Sequence, residues 1–130
     1  MRVAKRYILV SDDVRTETTG KLIVIGLYAS DIKVPKLPVV MPLAFTASIA
    51  IEGAGSFDMS GNLRYRDSDD LLLNFSAKGD VKKSGSALIP FKFPAVKFDR
   101  EGTHEVSLAL EGQLESLIES FEVSLQDKKE

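Results

Sequence analysis

From Leu43 onward the chain repeats a period of two, broken about every ten residues by a turn signal, and this pattern constrains the fold more than any other feature. Leu43, Phe45, Ala47, Ile49 and Ile51 alternate with Ala44, Thr46, Ser48 and Ala50, which predicts a half-buried strand over Leu43–Glu52. Gly53-Ala54-Gly55 gives a flexible turn, and Phe57, Met59, Leu63 and Tyr65 continue the alternation over Ser56–Arg66, so the two segments read as a hairpin. Asp67 to Asp70 is a second turn, before Leu71, Leu73, Phe75 and Ala77. Lys78–Ser86 reads as a solvated loop with Lys82 and Lys83 at its tip. Ala87–Phe98 is rich in β-formers but carries Pro90 and Pro94, which predicts an edge strand that bends at a proline, since proline cannot donate to a ladder.

The later segments follow the same logic. Thr103–Glu111 turns Val106, Leu108 and Leu110 inward, and a final strand is expected from about Leu117 to Leu125. Leu114, Leu117, Ile118 and Phe121 also fall at helical spacing, so one helical turn between Gln113 and Ser120 is the competing reading. Gln126–Glu130 is a charged tail.

The N-terminal third differs in kind. Ala4–Ser11 and Lys21–Tyr28 are apolar on both faces, as expected of neighbouring buried strands, and Gly26 within the second suggests a bulge or a close backbone approach. Between them, Asp12–Gly20 loses the apolar period and reads as a loop whose last turn uses Gly20 at positive φ. Ser30–Pro42 holds Pro35, Pro38 and Pro42, and is expected to cross from one sheet to the other. The whole predicts an all-β single domain over residues 1–130, an antiparallel β-sandwich of about eight strands; prolines that end or redirect strands favour a sandwich over a barrel.

Composition removes several functions. At 130 residues the fold can bury roughly two-thirds of the surface its unfolded chain exposes, enough to stand without staples. With no cysteine, a disulfide framework, a thiolate metal site and a cysteine nucleophile are excluded, and a reducing cytoplasm is the expected location. A single histidine, His104, precludes a multi-histidine metal centre within one chain. A net charge of −2 with both signs interspersed gives no basic field for nucleic acid. The apolar run after Arg6 is too short for a signal peptide, and no segment has the ~18 apolar residues of a membrane span.

The candidate binding residues are acidic. Asp12, Asp13, Arg15 and Glu17 combine carboxylates fit for acid–base work or a hard cation with an arginine fit to pair with them and anchor the loop. Asp67, Asp69 and Asp70 could join them as oxygen ligands for Ca²⁺, although aspartates at a turn also cap nearby backbone. The run from Asp58 to Asn62 lacks the spacing of a calcium loop, and Gly53-Ala54-Gly55 lacks the helix a phosphate loop requires. His104 and Glu105 are adjacent and would leave a strand on opposite faces, so His104 is expected at the surface or packed in its hairpin. No residue is assigned a catalytic role, no bound metal or cofactor is expected, and neither nucleic acid nor membrane is expected as a partner. A protein-interaction module, with a partner or a second copy adding to an edge strand, is the first functional expectation. A carboxylate-based Ca²⁺ or ligand site, or a hydrolase built on the same residues, is the second.

Asp13-Val14-Arg15, Glu17, Gly20-Lys21-Leu22, Gly26 and Tyr28, followed by Pro35 and Pro38, resemble the N-terminal half of a family of small uncharacterised bacterial proteins. That family's pattern runs Asp-Asp-x-Arg-x-Glu, Gly-Lys, then Gly-x-Tyr. Gly102 to Val106 and Gly112 are similar to its closing hairpin, with His104 where the family often has tyrosine. The resemblance implies a bacterial cytoplasmic β-sandwich and carries no activity.

Overall fold

The computed structural model describes residues 2–68, 70–110 and 117–126, and among them every regular element is a strand. In chain order these are β1 (Arg2–Thr16), β2 (Leu22–Tyr28), β3 (Asp31–Val34), β4 (Val39–Glu52), β5 (Gly55–Tyr65), β6 (Leu71–Val81), β7 (Gly85–Phe98), β8 (Gly102–Leu110) and β9 (Leu117–Leu125). They form two sheets, ordered β2-β1-β4-β7 and β3-β9-β8-β5-β6. The sheets close on a core supplied by both: Ile8 and Val10 of β1, Phe45 and Ile49 of β4 and Phe98 of β7 meet Leu63 of β5, Val106 and Leu108 of β8 and Phe121 of β9. Phe75 and Phe93, partly buried, pack against Phe45 at the margin of this core, with ring centroids 5.3–6.1 Å apart. The β-sandwich is therefore as expected, with nine strands instead of about eight.

The period of two survives because most strands have one covered face. β5 and β8 bury alternate residues, and β8 lies between β5 and β9 with His104 opposite both Tyr65 and Phe121. The final strand spans Leu117–Leu125 as expected. Of the competing helical turn, residues 117–120 are strand and 113–116 lie outside the described residues, as does the tail beyond Gln126. β7 is an edge strand; near Pro94 its register against β4 shifts, between Met41 and Leu43.

Several expectations are corrected. First, β4 and β5 are not a hairpin: β4 lies between β1 and β7, β5 lies in the other sheet, and the turn at Gly53 (φ +84°) carries the chain between layers. Second, the proline-bearing segment crosses between sheets but contains a strand, β3, whose Ile32 and Val34 are buried and which runs parallel to β9, so the sandwich is not wholly antiparallel. Pro35 and Pro38 follow this strand and leave its ladder intact, whereas Pro42, expected in the crossover, lies inside the central strand β4, where the register against β7 shifts between Met41 and Leu43. Third, the connection expected at Lys78–Ser86 shrinks to the turn between Val81 and Gly85; Lys78 and Asp80 are outward-facing strand residues on the β6 edge. Fourth, β1 does not end at Ser11. It continues through Asp12, Asp13 and Arg15 to Thr16, in register with β2 from Val10 opposite Tyr28 to Thr16 opposite Leu22.

Its partner β2 is also not a buried strand. It forms the outer edge of the four-stranded sheet, and Ile23, Ile25 and Leu27 are 41%, 39% and 57% exposed.

Candidate functional site

The acidic stretch becomes a stretch of strand, and that changes its chemistry. Successive side chains leave a strand on opposite faces, so Asp12 and Asp13 do not form a carboxylate pair. Asp12 accepts a hydrogen bond from the Tyr28 hydroxyl. Its carboxylate lies against Gly26, whose φ of +68° and missing side chain admit this approach. Burial, followed by Asp12, raises the Tyr28 pKa. The sequence expectation of a close approach at Gly26 is met, with register against β1 kept on either side.

Asp13 instead meets Lys92 of β7, with Nζ 3.0 Å from Oδ1. Lys92 lies opposite Ala44, and Ser11, two residues before Asp13, lies opposite the same alanine, so the ion pair reaches across β4. Asp13 also accepts from the Val14 amide at 2.8 Å and, more distantly, from Arg15 Nε at 3.4 Å. These contacts, Lys92 first, hold its carboxyl below the usual range. The Arg15 side chain is 68% exposed and touches only this one carboxylate among the described residues, so it does not tie down a long loop. The real connection is short: the Glu17 amide donates to the Lys21 carbonyl (2.8 Å), the Gly20 amide to the Glu17 carbonyl (2.9 Å), and Gly20 takes the expected positive φ of +88°. The Glu17 carboxylate accepts from Thr19 and lies 3.8 Å from Lys21 Nζ.

The second acidic turn sits on the other sheet, between β5 and β6. Asp67 lies in that turn, Asp69 falls outside the described residues, and Asp70 pairs with Arg100 at 3.0 Å. Arg100 also lies 4.1 Å above the Tyr65 ring, and the Tyr65 hydroxyl donates to Asp99 at 2.5 Å. Asp70 thus belongs to a tie between the β5–β6 and β7–β8 connections. Among the described residues no three His, Cys, Asp or Glu side chains gather as metal ligands would. A depression of about 510 Å³ does border the first cluster, between Asp12, Asp13 and Lys92 and an apolar wall of Leu43, Phe93 and Pro94.

His104 is fully buried, which excludes the surface placement and leaves the hairpin one. Its Nδ1 donates to the Gly102 carbonyl at 2.9 Å, while the ring stacks on Phe121 and meets Phe98 and Tyr65. Nε2 is buried without a partner among the described residues, and burial lowers the His104 pKa. Among the described residues no hydroxyl is hydrogen-bonded to this imidazole as a nucleophile would be to its base.

Sequence reasoning missed the exposure of β2. Three of the four sheet edges carry features that discourage another strand. β7 holds Pro90, Lys92, Pro94 and Lys97; β6 turns Lys78 and Asp80 outward; β3 is four residues long and includes Asp31 and Lys33. β2 has seven residues, no proline and no charge. The sequence holds no signal for it, since an apolar strand reads the same whether or not a second layer covers its outer face.

No helix among the described residues is long and apolar enough to cross a membrane. No curated protein matches the chain. A family model described as a family of unknown function (DUF6941) matches residues 6–123, nearly the whole sandwich, and the chain belongs to that family.

Proposed function

We propose that the chain is a non-enzymatic protein-interaction module of the bacterial cytoplasm whose contact surface is the β2 edge. One observation carries the reading: β2 alone of the four sheet edges is uncharged and free of proline, and its outward side chains Ile23, Ile25 and Leu27 are exposed. An open edge presents unpaired backbone groups, and a second chain can add to it by main-chain hydrogen bonds while alternate side chains read the apolar row. The cysteine-free composition supports a reducing compartment, and the pairing of Asp12, Asp13, Glu17 and Asp70 with their own counter-groups supports a structural role for those carboxylates. The test is affinity capture with the full chain against an Ile25→Lys variant. Proteins retained by the wild type and lost with the variant are expected; retention unchanged by the substitution refutes the β2 surface.

A second reading, ligand or Ca²⁺ binding at the first acidic cluster, has one observation in its favour, the depression beside Asp12 and Asp13. Anything that binds only the folded state raises the melting temperature. A rise with Ca²⁺ or Mg²⁺ that Asp13→Asn abolishes supports this second reading, and an unchanged melting temperature removes the metal.

A further inference from the structure

Resting on the ligand reading of the depression beside β1, we propose that this depression binds an organic monocation, an ammonium or guanidinium group on a short apolar body, with Asp12 as its counter-ion. The strand pattern makes Asp12 the unusual group. It leaves β1 on the same face as Val10 and Val14, both buried. A carboxylate on a covered face needs partners, because its desolvation is costly. Among the described residues Asp12 has one, the neutral Tyr28 hydroxyl, and no lysine, arginine or histidine nitrogen lies within 4.0 Å of it. Asp13 differs, since Lys92 and Arg15 both reach its carboxylate. Tyr28 and the bare Cα of Gly26 hold the Asp12 side chain in place, so its charge is fixed beside the depression without a cation of its own.

The parting of two strands opens the space. β1 and β4 pair from Arg2 opposite Glu52 to Ser11 opposite Ala44, and there the ladder stops, although β1 runs on to Thr16 and β4 starts back at Val39. Pro42 has no amide to donate across the gap, and the Val14 amide is satisfied by the Asp13 carboxylate. The depression lies where the strands part, with Asp12 and Asp13 on one side, Pro42 and Leu43 on the other, and Phe93, Pro94 and Lys92 of β7 completing its lining. Its volume of about 510 Å³ is that of a small-molecule site, in which a mostly apolar wall carries a few orienting polar groups. Ca²⁺ suits it poorly, because that ion takes about six to eight oxygens and among the described residues no three acidic or histidine side chains gather. An anion would meet two carboxylates. A monocation on an apolar body satisfies both surfaces: the charge meets Asp12, the body covers Leu43 and the prolines, and an aromatic ring such as Phe93 attracts a cation within about 6 Å. Among the lining residues only Lys92 opposes such a ligand, and it is engaged with Asp13 at 3.0 Å. A free amine and a lysine or arginine side chain of another protein share this chemistry.

The probes are phenylpropylamine, phenylpropanol and phenylpropanoate, which share one apolar body and differ in charge, titrated into the full chain at neutral pH and followed by backbone amide chemical shifts. The amine should shift Asp12, Leu43 and Phe93 saturably and bind about tenfold or more tightly than the alcohol, with the propanoate weaker still. Asp12→Asn keeps the shape and an acceptor for Tyr28, and should lower the amine affinity about tenfold or more while leaving the alcohol unchanged; its melting temperature checks that it folds. Lys92→Gln removes the opposing charge and should strengthen amine binding. The peptide acetyl-Phe-Lys-amide separates the sources: tighter binding than the free amine assigns the cation to a protein side chain, and weaker binding assigns it to a small amine. Equal affinity for the three probes, or amine binding that survives Asp12→Asn, overturns the cation assignment and leaves the broader ligand reading standing. No saturable shift with any of the three overturns the organic ligand altogether, and a melting temperature raised by Ca²⁺ through Asp13 would return the site to the metal.

Discussion

Gly26→Ala tests the account of the acidic strand, because one added methyl meets two separate costs. The residue sits at φ +68°, where a side chain on an L-residue costs about 1–2 kcal/mol. The new Cβ would also lie 2.8 Å from Asp12 Cγ and 3.1 Å from Asp12 Cβ, so the carboxylate has to leave. It then loses the Tyr28 hydroxyl, a charge-assisted hydrogen bond worth about 1–2 kcal/mol at a partly buried site. The sum is about 2–4 kcal/mol, or a fall in melting temperature of about 6–16 °C for a domain of this size. Urea denaturation at unchanged m-value gives the free energies directly. The decisive comparison is a cycle with Tyr28→Phe. Alone, that change should cost about 1–2 kcal/mol; in the Gly26→Ala background it should cost almost nothing, since the hydroxyl has already lost its partner. Additivity within about 0.5 kcal/mol would mean that Asp12 and Tyr28 separate from Gly26 without consequence, and would refute the argument.

Three further outcomes follow from the same geometry. Burial lowers the folded-state pKa of His104, so the unfolded chain binds the extra proton first: stability should be complete above the unfolded value of about 6.5 and be lost as pH falls from there through the folded value. Unfolding measured across this range should flatten in His104→Phe, and a parallel profile in that variant would refute the assignment; the lowered carboxyls of Asp13 and Asp99 act in a separate window, below their ordinary 3.8. Gly61→Ala sets a methyl under the Phe75 ring and 3.0 Å from the Ser107 carbonyl, and Phe75 is held by Phe45, Phe91 and Phe93, so overpacking should cost about 1–3 kcal/mol by urea denaturation. Arg15→Ala should change stability by less than about 0.5 kcal/mol, because its only carboxylate contact among the described residues is long, exposed and duplicated by Lys92; a larger loss in the same assay would restore an anchoring role for Arg15.

What the sequence made legible was whatever depends on burial of one face. β5, β6 and β8 show their alternation because the sandwich covers one side of each, whereas β4, expected to be half-buried, is buried on both faces from Leu43 to Ile49 and alternates only in residue size and polarity; the positive φ of Gly20 and the approach at Gly26 were readable because only glycine suits them. Sheet membership was not readable. A turn such as Gly53-Ala54 has the same local chemistry whether it returns the next strand beside the last or carries it to the opposite layer; the choice is made by β1 and β7, which take both sides of β4. The acidic strand was misread for a related reason. Asp12 and Asp13 break an apolar period, and the groups that make them tolerable in a strand, Tyr28 and Lys92, lie far along the chain. His104 looked like a candidate for the surface because its cover comes from Tyr65, Phe98 and Phe121, on three different strands.

The misreading of β2 is the informative one. Apolar residues on both faces predict a strand covered on both sides, and β2 departs from the rule because the second sheet covers only its inner face. In the monomer the inner face of β2 is half covered, its outer face is exposed, and its free edge has neither the prolines of β7 nor the outward charges of β6. Scattered exposed apolar side chains need no explanation, but a contiguous row on an unprotected edge is both an aggregation hazard and a recognition surface. A partner strand added at this edge, as proposed above, would pair its free backbone groups and flank the row of Ile23, Ile25 and Leu27, and that is why the make-up of β2 supports the interaction reading.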